Sequence, residues 1–502
     1  MSQLTYSTKA ATSPLPESSQ FLSRWVFLRL LGAVYLIAFV SLWVQIDGLL
    51  SSSGILPARA YTEEVAGVVG RSRYWWLPTL FWLHPTDGML HALCVAGSTL
   101  AVLLIVGVAP VPCLAGLWLA YLSLEAIGQE FLSFQWDILL LESGFLAIFL
   151  APLQLRPAIE REAAPPIAIV WLFRWLLFRL IFSSGAVKLL SGDAAWRNLT
   201  ALEYHYWTQP LPTWIGWYAN LQPAWLQRLS CAVMFAIELG APCLIWGGSG
   251  PRLAAFAAFV ALQVLILLTG NYCFFNLLTI ALCVLLLDDS VWPRRIRRWR
   301  SSAPSVGVAW PRWIVGPVAA TVLVLGVLQM FTLSPFGLDW PEPLLTFRRV
   351  AAPLRIVNGY GLFAVMTTSR PEIIVEGSDD RSTWRAYQFK WKPGDPSQPP
   401  SFVEPHQPRL DWQMWFAALG RYDQNPWFLA FALRLLEGSK VVTALLAGNP
   451  FPDRPPKYIR AALYQYAFTT LAERRATGHW WKLIPQGLYL PAVSLESFRR
   501  SD

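Results

Sequence analysis

Charged residues are scarce in this chain of 502 residues. Asp, Glu, Lys and Arg make up 14% of the sequence, and hydrophobic residues make up 55%. Soluble domains usually carry about a quarter charged residues, so the composition excludes an ordinary soluble protein. The net charge of +9 does not indicate nucleic acid binding, because the basic excess lies in short loops beside apolar segments, where membrane topology explains it.

Motifs of the common catalytic and redox sites are absent as well. The chain has six Cys and five His but no CxxC, HExxH or Cys–His cluster, so we predict no disulfide framework, no thiol redox site and no metal. GxSxG, P-loop and GxGxxG motifs are also missing, which argues against a hydrolase of the common lipase type and against a nucleotide cofactor. We therefore predict no cofactor.

Apolar segments long enough to cross a bilayer as helices recur along the first two thirds of the chain. We predict nine spans, at residues 24–45, 90–109, 112–128, 138–154, 167–190, 229–247, 252–269, 272–288 and 313–333. The third and fourth are short. The sequence shows no internal repeat, which disfavours a transporter built from two related halves.

Basic residues follow the even-numbered spans. The corresponding loops hold Arg156, Arg161, Arg252 and the run at 294–300. Because positively charged loops stay in the cytoplasm, we predict that these loops and the N-terminus are cytoplasmic. We interpret the run at 294–300 as a stop-transfer anchor and expect no nucleic acid partner. An odd number of spans then places residues 338–502 on the outer face, in a periplasm or a lumen.

The sequence divides into three parts. Residues 1–20 are polar and rich in Ser, Thr and Pro, and we predict a disordered cytoplasmic tail there. Residues 21–335 are predicted to form an all-α polytopic membrane domain with about nine spanning helices. Residues 338–502 are predicted to form a small mixed α/β extracytoplasmic domain. Two outer loops, at 46–89 and 191–228, are rich in Trp and suit helices that lie on the membrane surface.

Local patterns within the 338–502 domain predict both strands and helices. Residues 373–377 and 384–391 alternate like paired strands around a polar turn at 378–382. Three further segments have helical spacing, at residues 411–420, 426–446 and 457–475.

Ionisable side chains fall within or at the ends of the predicted spans, where they are costly and often mark function. They are Glu125, Asp137, Glu142, Arg174, Arg179, Lys188 and Glu238. Two interpretations stay open. Either the charges pair across helices and fix the packing, or Glu142, Lys188 and Glu238 line a wet cavity that opens outward.

Outer-loop residues complete the first set of candidates. They are Trp196, His205, Gln209, Asn271 and Asn276. The polar turns at 129–137 and 269–276 need partners or water at membrane depth and are candidates for the rim of such a cavity. Turn chemistry alone accounts equally well for Gly270 and Asn271.

Eight segments spread along the chain carry a resemblance to a known family. They are residues 54–59 (GILPAR), 134–146 (FQWDILLLESGFL), 173–179 (FRWLLFR), 196–200 (WRNLT), 205–210 (HYWTQP), 353–363 (PLRIVNGYGLF), 392–396 (KPGDP) and 408–418 (PRLDWQMWFAA). In these segments the chain resembles the lipase maturation factor family. The last domain thereby adds candidate residues to the site, namely Arg355, Asn358, Tyr360, Arg409, Asp411, Trp412 and Trp415.

The resemblance implies a membrane-anchored factor that helps secreted proteins to fold or mature. Its expected partners are membrane lipids and secreted client proteins, lipases among them. Eukaryotic members reside in the endoplasmic reticulum, but the Arg-rich, Lys-poor composition and the lack of a retention signal favour a bacterial inner membrane here. Clients would bind near 409–415, although Trp412 and Trp415, three residues apart on one helical face, fit the domain's own core equally well.

One span supports an alternative. Residues 182–189, followed by Trp196, resemble the span-end lysine segment of the vitamin K-dependent gamma-carboxylase group and its transmembrane relatives. The lysine is a catalytic base in that group. This resemblance implies a membrane-embedded enzyme with Lys188 in an outward-facing cavity. A folding factor needs no catalysis, and the sequence does not decide whether the chain is an enzyme.

Overall fold

The computed structural model describes residues 20–157, 162–297, 307–331 and 340–499. The predicted disordered tail, apart from its last residue, lies outside these ranges, as does the predicted junction between the two domains at 335–338.

Helices dominate the described ranges. They are α1 (Phe21–Trp43), α2 (Ile46–Leu50), α3 (Ala58–Val69), α4 (Arg73–Trp76), α5 (Asp87–Val106), α6 (Pro110–Ile127), α7 (Gln135–Leu150), α8 (Ile167–Leu190), α9 (Ala194–Arg197), α10 (Leu202–Thr208), α11 (Trp214–Asn220), α12 (Ala224–Phe235), α13 (Ser249–Thr269), α14 (Phe275–Val284), α15 (Arg294–Arg297), α16 (Arg312–Phe331), α17 (Glu342–Ala351), α18 (Arg409–Ala418), α19 (Pro426–Leu436), α20 (Lys440–Thr443), α21 (Leu471–Thr477) and α22 (Leu495–Arg499). Short helices thus form in both outer loops, as α2–α4 and α9–α11.

Seven helices within the described ranges are long and apolar enough to cross a membrane. They are Phe21–Trp43, Asp87–Val106, Pro110–Ile127, Ile167–Leu190, Ala224–Trp246, Ser249–Thr269 and Arg312–Phe331. They correspond to seven of the nine predicted spans. The other two form shorter helices, α7 with 16 residues and α14 with 10. The predicted polytopic helical domain is confirmed.

The partners of α1 define the two ends of the helix bundle. At its start, the N–H groups of Phe21 and Leu22 donate to the carboxylate of Asp289 at 3.0 and 2.9 Å. Near its finish, the hydroxyl of Ser41 accepts a hydrogen bond from the N–H of Gln407 at 2.8 Å. The start of α1 and the C-terminal region therefore lie at opposite ends of the bundle, which we call the N-terminal end and the docking end.

The shorter helix α14 still connects these two ends. It follows Tyr272, whose N–H donates to Glu404 at the docking end, and it precedes Asp289 at the N-terminal end. Irregular backbone before and after the helix completes the crossing. Such backbone is tolerated at membrane depth only where protein surrounds it, and residues 271–274 and 285–289 are all buried.

A small antiparallel sheet organises the C-terminal region. In the described part of that region its strands lie in the order β2-β1-β3-β4, with β1 (Pro371–Ser378), β2 (Arg385–Ala386), β3 (Tyr458–Phe468) and β4 (Trp481–Val493). Glu376 on β1 lies opposite Arg460 on β3, and their side chains form an ion pair at 2.7 Å. Such cross-strand pairs fix the register of a sheet. The predicted small α/β domain is confirmed.

Three local predictions about this region are wrong. Residues 458–468 form β3 instead of a helix, because pairing with β1 and β4 on both sides overrides the helical spacing of the sequence. The strand predicted at 384–391 is only two residues long, because the backbone of Gln388 pairs with Gly448 instead of continuing the ladder with β1. The helix predicted at 426–446 breaks at Gly438, which has a φ of 72°.

The hydrophobic core is continuous from the bundle into the C-terminal region. One cluster of buried side chains includes Phe27 and Leu140 of the membrane helices together with Trp412 and Phe431 of the C-terminal region. At the junction, the ring of Trp136 meets that of Trp412 at 4.8 Å between centroids. The C-terminal region is therefore packed onto the bundle as part of one body.

A glycine allows the close approach of α1 and α7 inside the bundle. A Cβ atom at Gly144 would overlap the hydroxyl of Tyr35. Tyr35 is completely buried and donates to the carbonyl of Leu140 at 3.2 Å. Since packed interiors have little free space, any larger residue at this position pushes the two helices apart.

We predict that Gly144→Ala destabilises the protein by about 1–3 kcal/mol, the usual cost of overpacking. The matched control is Gly67→Ala in α3, where a Cβ meets nothing within 4 Å. Thermal unfolding of the detergent-purified chain measures both. A midpoint for Gly144→Ala equal to that of Gly67→Ala would contradict the proposed contact.

Candidate functional site

The first element of the site is a buried ion pair between the bundle and the C-terminal region. Asp137 lies in the first turn of α7 and Arg409 is the first residue of α18, and both side chains are 0% exposed. The guanidinium donates to both carboxylate oxygens, at 2.8 and 3.0 Å. The hydroxyl of Tyr121 donates to the same carboxylate. Two opposite charges held this way tolerate burial because each neutralises the other and the remaining lone pairs are satisfied.

A second carboxylate, Glu142, binds the segment that enters the C-terminal region. It pairs with Arg179 of α8. It also accepts from the hydroxyl of Tyr360 at 2.7 Å and from the N–H of Asn358 at 2.9 Å. Arg179 in turn donates to the carbonyl of Asn358 at 3.0 Å. Glu142 and Arg179 therefore bind the backbone N–H and the carbonyl of the same residue, Asn358.

A third contact of the same kind joins α6 to the chain that follows α17. Glu125 pairs with Arg355 at 3.0 Å. We call the three contacts made by Glu125, Asp137 and Glu142 the interdomain clamp. For Asp137, Glu142 and Arg179, the arrangement corresponds to the first interpretation of the charges, in which they pair and fix the packing.

Lys188 and Glu238 lie apart from the clamp. The ammonium group donates to both oxygens of Glu238, at 2.8 and 2.7 Å. Glu238 sits in a π-helical stretch, Ala236–Gly240, that follows α12. Pro242 comes four residues later and has no N–H to donate to the carbonyl of Glu238, which favours the local departure from α-helix.

Lys188 and Glu238 line a cavity of about 480 Å³. Lys188 and Glu238 thus line a cavity and also pair with each other across two helices, whereas Glu142 lies elsewhere. Of the two turns considered for the rim, only the one at 269–276 contributes, through Thr269, Tyr272 and Asn276.

The outer-loop candidates divide between the cavity and the structure around it. Trp196, His205 and Asn276 line the cavity. Gln209 instead accepts from the hydroxyl of Tyr272 at 2.9 Å. Asn271 accepts from the N–H of Val403 at 2.7 Å and holds the C-terminal region in place.

Arg174 stands away from all of these groups. Its guanidinium lies 5.8 Å from the ring centroid of Trp171, one turn earlier on α8. The structure brings it to neither the clamp nor the cavity.

Residues 411–415 have structural contacts. Asp411 accepts from the N–H groups of Trp391 and Lys392, both at 2.9 Å. Trp412 packs on Trp136, and the indole of Trp415 donates to the carbonyl of Thr208 at 2.8 Å. Both indoles are buried, so they belong to the core and leave no client surface between 409 and 415.

Sequence reasoning missed several buried charged groups, among them the pair of Arg24 with Glu162 and a group around Glu372. Arg370 and Lys392 flank Glu372 at 2.7 and 2.9 Å, and all three side chains are buried. Arg370 also donates to the carbonyls of Trp207 and Pro210, at 2.9 and 2.8 Å. The only signal for this group in the sequence was the segment at 392–396, which contains Lys392 but does not indicate that Lys392 pairs with Glu372.

Comparison with known proteins agrees with this arrangement of a bundle and a docked C-terminal region. The model of the lipase maturation factor transmembrane domain matches residues 22–294, and that of the lipase maturation factor C-terminal domain matches residues 356–491. The chain belongs to the lipase maturation factor family. The first model covers the clamp carboxylates and the Lys188–Glu238 pair, and the second covers their partners Asn358, Tyr360 and Arg409.

Relatives match over nearly the whole chain. Lipase maturation factor 2 of Homo sapiens is 37% identical, over 94% of this chain and 83% of the relative. Lipase maturation factor 2 of Xenopus laevis is 36% identical, over 95% and 83%. Lipase maturation factor 1 of Bos taurus is 35% identical, over 98% and 92%. No solved structure matches the chain. The comparisons do not favour the alternative of a gamma-carboxylase-like enzyme.

The described residues contain no group of three or more His, Cys, Asp or Glu that could hold a metal ion. The absence of metals and cofactors from the working protein stays a prediction.

Removing one partner of the Asp137–Arg409 pair should be far more damaging than removing both. Arg409→Met leaves a buried carboxylate without its counter-ion, at a cost of about 3–5 kcal/mol. Asp137→Leu combined with Arg409→Met should recover much of this loss. Arg421→Met, which breaks an exposed pair with Asp423, is the control and should leave the unfolding midpoint close to that of the parent chain. Thermal unfolding of all four proteins tests this, and equal midpoints for the two Arg variants would refute it.

The buried loop around Glu404 should make stability depend on pH. Burial raises the pKa of Glu404 from its ordinary value of 4.5 to about 8. Between these values the folded chain holds a proton that the unfolded chain releases, so stability falls as pH rises. The neighbouring His406, whose pKa burial lowers to about 4, acts in the opposite sense below its ordinary value of 6.5. A series of unfolding midpoints between pH 6.5 and 8 therefore excludes the contribution of His406, and the part of the slope that Glu404→Gln removes belongs to Glu404. An unchanged slope in that variant would count against a buried carboxyl.

Proposed function

We propose that this protein assists the maturation of secreted lipases from within a membrane. The observation that carries the proposal is family membership across both parts of the chain, with relatives named lipase maturation factor that align over almost its entire length. The clamp supports it further, because it fixes the C-terminal region rigidly at the docking end, where that region faces one aqueous compartment.

We infer that this compartment is a periplasm and that the N-terminus is cytoplasmic. The basic stretch Arg294–Arg297 follows Asp289, which binds the start of α1. Both therefore lie at the N-terminal end of the bundle, as the positive-inside rule requires of a cytoplasmic face. A bacterial inner membrane agrees with the Arg-rich composition, whereas the relatives compared here come from eukaryotes.

The C-terminal region offers an edge strand to a client. β4 has 13 residues and lies at the edge of the sheet. Its Ile484 and Leu488 are 58% and 56% exposed. An exposed edge with apolar side chains favours pairing with another extended chain, as a partly folded client would provide.

The maturation role is tested in cells that lack their own family member and secrete a lipase reporter. Expressing this chain should raise the lipase activity in the medium per unit of lipase protein, because more of the lipase reaches its native fold. A secreted non-lipase reporter in the same cells is the control and should not change. Equal lipase specific activity with and without the chain would disprove the proposal.

Photocrosslinking locates the client surface. A photoreactive amino acid at Ile484 or Leu488 should trap the secreted lipase. The same amino acid at Val291, which is 42% exposed at the opposite end of the bundle, should not. Trapping at Val291 alone, or at none of the three positions, would rule out this face of the C-terminal region.

A further inference from the structure

The cavity that holds the Lys188–Glu238 pair has the form of a binding site. Helices α8, α12 and α13 supply its walls, and α10 and α11 cover it on the docking side. Its volume of about 480 Å³ falls within the range usual for small-molecule sites, about 300–1,000 Å³. Ten of the 27 lining residues are polar or charged, and the other side chains are aliphatic or aromatic. Those side chains include Leu180, Ile181, Leu262, Ile266 and Phe275.

The C-terminal region covers the cavity on the docking side. Phe363 lines it, and its ring stands edge-on to His205 at 5.1 Å between centroids. The indole of Trp196, another lining residue, donates to the carbonyl of Phe363 at 2.9 Å. The segment around Phe363 therefore covers part of the docking side of the cavity.

The side of the cavity is open to the membrane. α12 packs mainly against α10 and the π-helical stretch that follows it, whereas α13 packs against α11, α14 and residues 241–246. The two consecutive helices therefore diverge toward the docking end. Ser230 of α12 and Leu265 of α13 both line the space between them, and Leu265 is 60% exposed on the outside of the bundle. An apolar molecule can enter here from the adjoining leaflet.

The charges in the cavity balance. Lys188 and Glu238 neutralise each other. Burial and the nearby charge of Lys188 lower the pKa of His205 to about 4, so its imidazole is neutral at physiological pH. A net-charged head group would find no counter-ion, and burying an unpaired charge is costly.

Two polar atoms in the wall, Asn276 Oδ1 and His205 Nδ1, have no hydrogen-bond partner among the described residues. Asn276 is 0% exposed, and its amide nitrogen donates to Gln263, at 3.1 Å to both the backbone and the side-chain oxygen. These bonds fix the amide orientation, and they leave Asn276 Oδ1 without a hydrogen-bond partner among the described residues. Buried acceptors of this kind are rare in native proteins. A ligand hydroxyl would satisfy it.

We propose that this cavity binds a neutral, hydroxyl-bearing membrane lipid of the glyceride class, which enters between α12 and α13. The acyl chain occupies the apolar space, and the glycerol hydroxyl donates to Asn276. The inference does not rest on the lipase role, because it predicts lipid binding whether or not any lipase depends on the chain.

Photoaffinity labelling of the full-length protein in nanodiscs tests the site. The probe is a monoacylglycerol that carries a diazirine in its acyl chain, and labelled peptides are identified by mass spectrometry. Labels should concentrate on α12, α13 and α14. Labels spread evenly over the other membrane helices would overturn the proposal.

Cavity-filling variants supply the matched comparison. Ser230→Phe and Ala219→Phe place a ring in the space and should reduce labelling about tenfold, the equivalent of ~1.4 kcal/mol in binding. Val233→Phe adds the same ring on α12, but Val233 is 49% exposed and does not line the cavity, so labelling should stay as in the parent chain. Unfolding midpoints show that each variant is folded. Equal labelling of Ser230→Phe and Val233→Phe would refute the site.

Head-group selectivity gives a second, independent readout. An anionic analogue with the same acyl chain should label far less than the monoacylglycerol, and Asn276→Leu should remove the preference for a free hydroxyl over its methyl ether. A stronger signal from the anionic probe would overturn the assignment of a neutral lipid. If the cavity-filling variants kept lipid labelling but lost client crosslinks, the space would belong to a client side chain and the proposal would be wrong.

Discussion

The architecture depends on the burial of charge at the point where the bundle meets the C-terminal region. An isolated carboxylate such as Asp137 is strongly disfavoured in an apolar interior. It is tolerated here because Arg409, 272 residues later in the chain, neutralises it with two hydrogen bonds. Neither charge has a satisfactory environment without the other. Docking of the C-terminal region is therefore a condition for a stable bundle end, and the two parts stabilise each other.

The contacts of Glu142 also join the bundle to the C-terminal region through a buried carboxylate. Glu142 accepts from the backbone of Asn358, a bond that any residue but proline could make, and from the hydroxyl of Tyr360, which only a few residue types could replace. Together with the continuous aromatic core around Trp412, the clamp gives the C-terminal region one fixed orientation. In the proposed role a rigid platform would favour client binding, because a pre-ordered surface loses less conformational entropy on binding.

Sequence patterns were sufficient for some features and not for others. Apolar length located the spans, since each long segment must satisfy its own backbone as a helix, and local spacing located α18. The prediction of a helix at 457–475 was wrong because residues 458–468 pair with β1, about 90 positions away, and this pairing overrides the local helical pattern. The ionisable residues could be picked out as unusual, yet their partners could not, because one sequence carries no sign that Asp137 meets Arg409 or that Glu142 meets Tyr360. Long-range pairing is a property of the fold and leaves no local pattern.

The clamp and the cavity are joined by a short stretch of chain. Between Asn358 and Phe363, the backbone first binds Glu142 and then places an aromatic ring over the cavity. Gly361 makes this possible, because its φ of 149° and its contact with Val187 leave no room for a side chain. Any molecule held beneath Phe363 contacts that ring only when the C-terminal region is docked. By thermodynamic linkage, occupancy of the cavity must then favour the docked arrangement to the same degree. The lipid proposed for the cavity would thus be linked to docking of the C-terminal region.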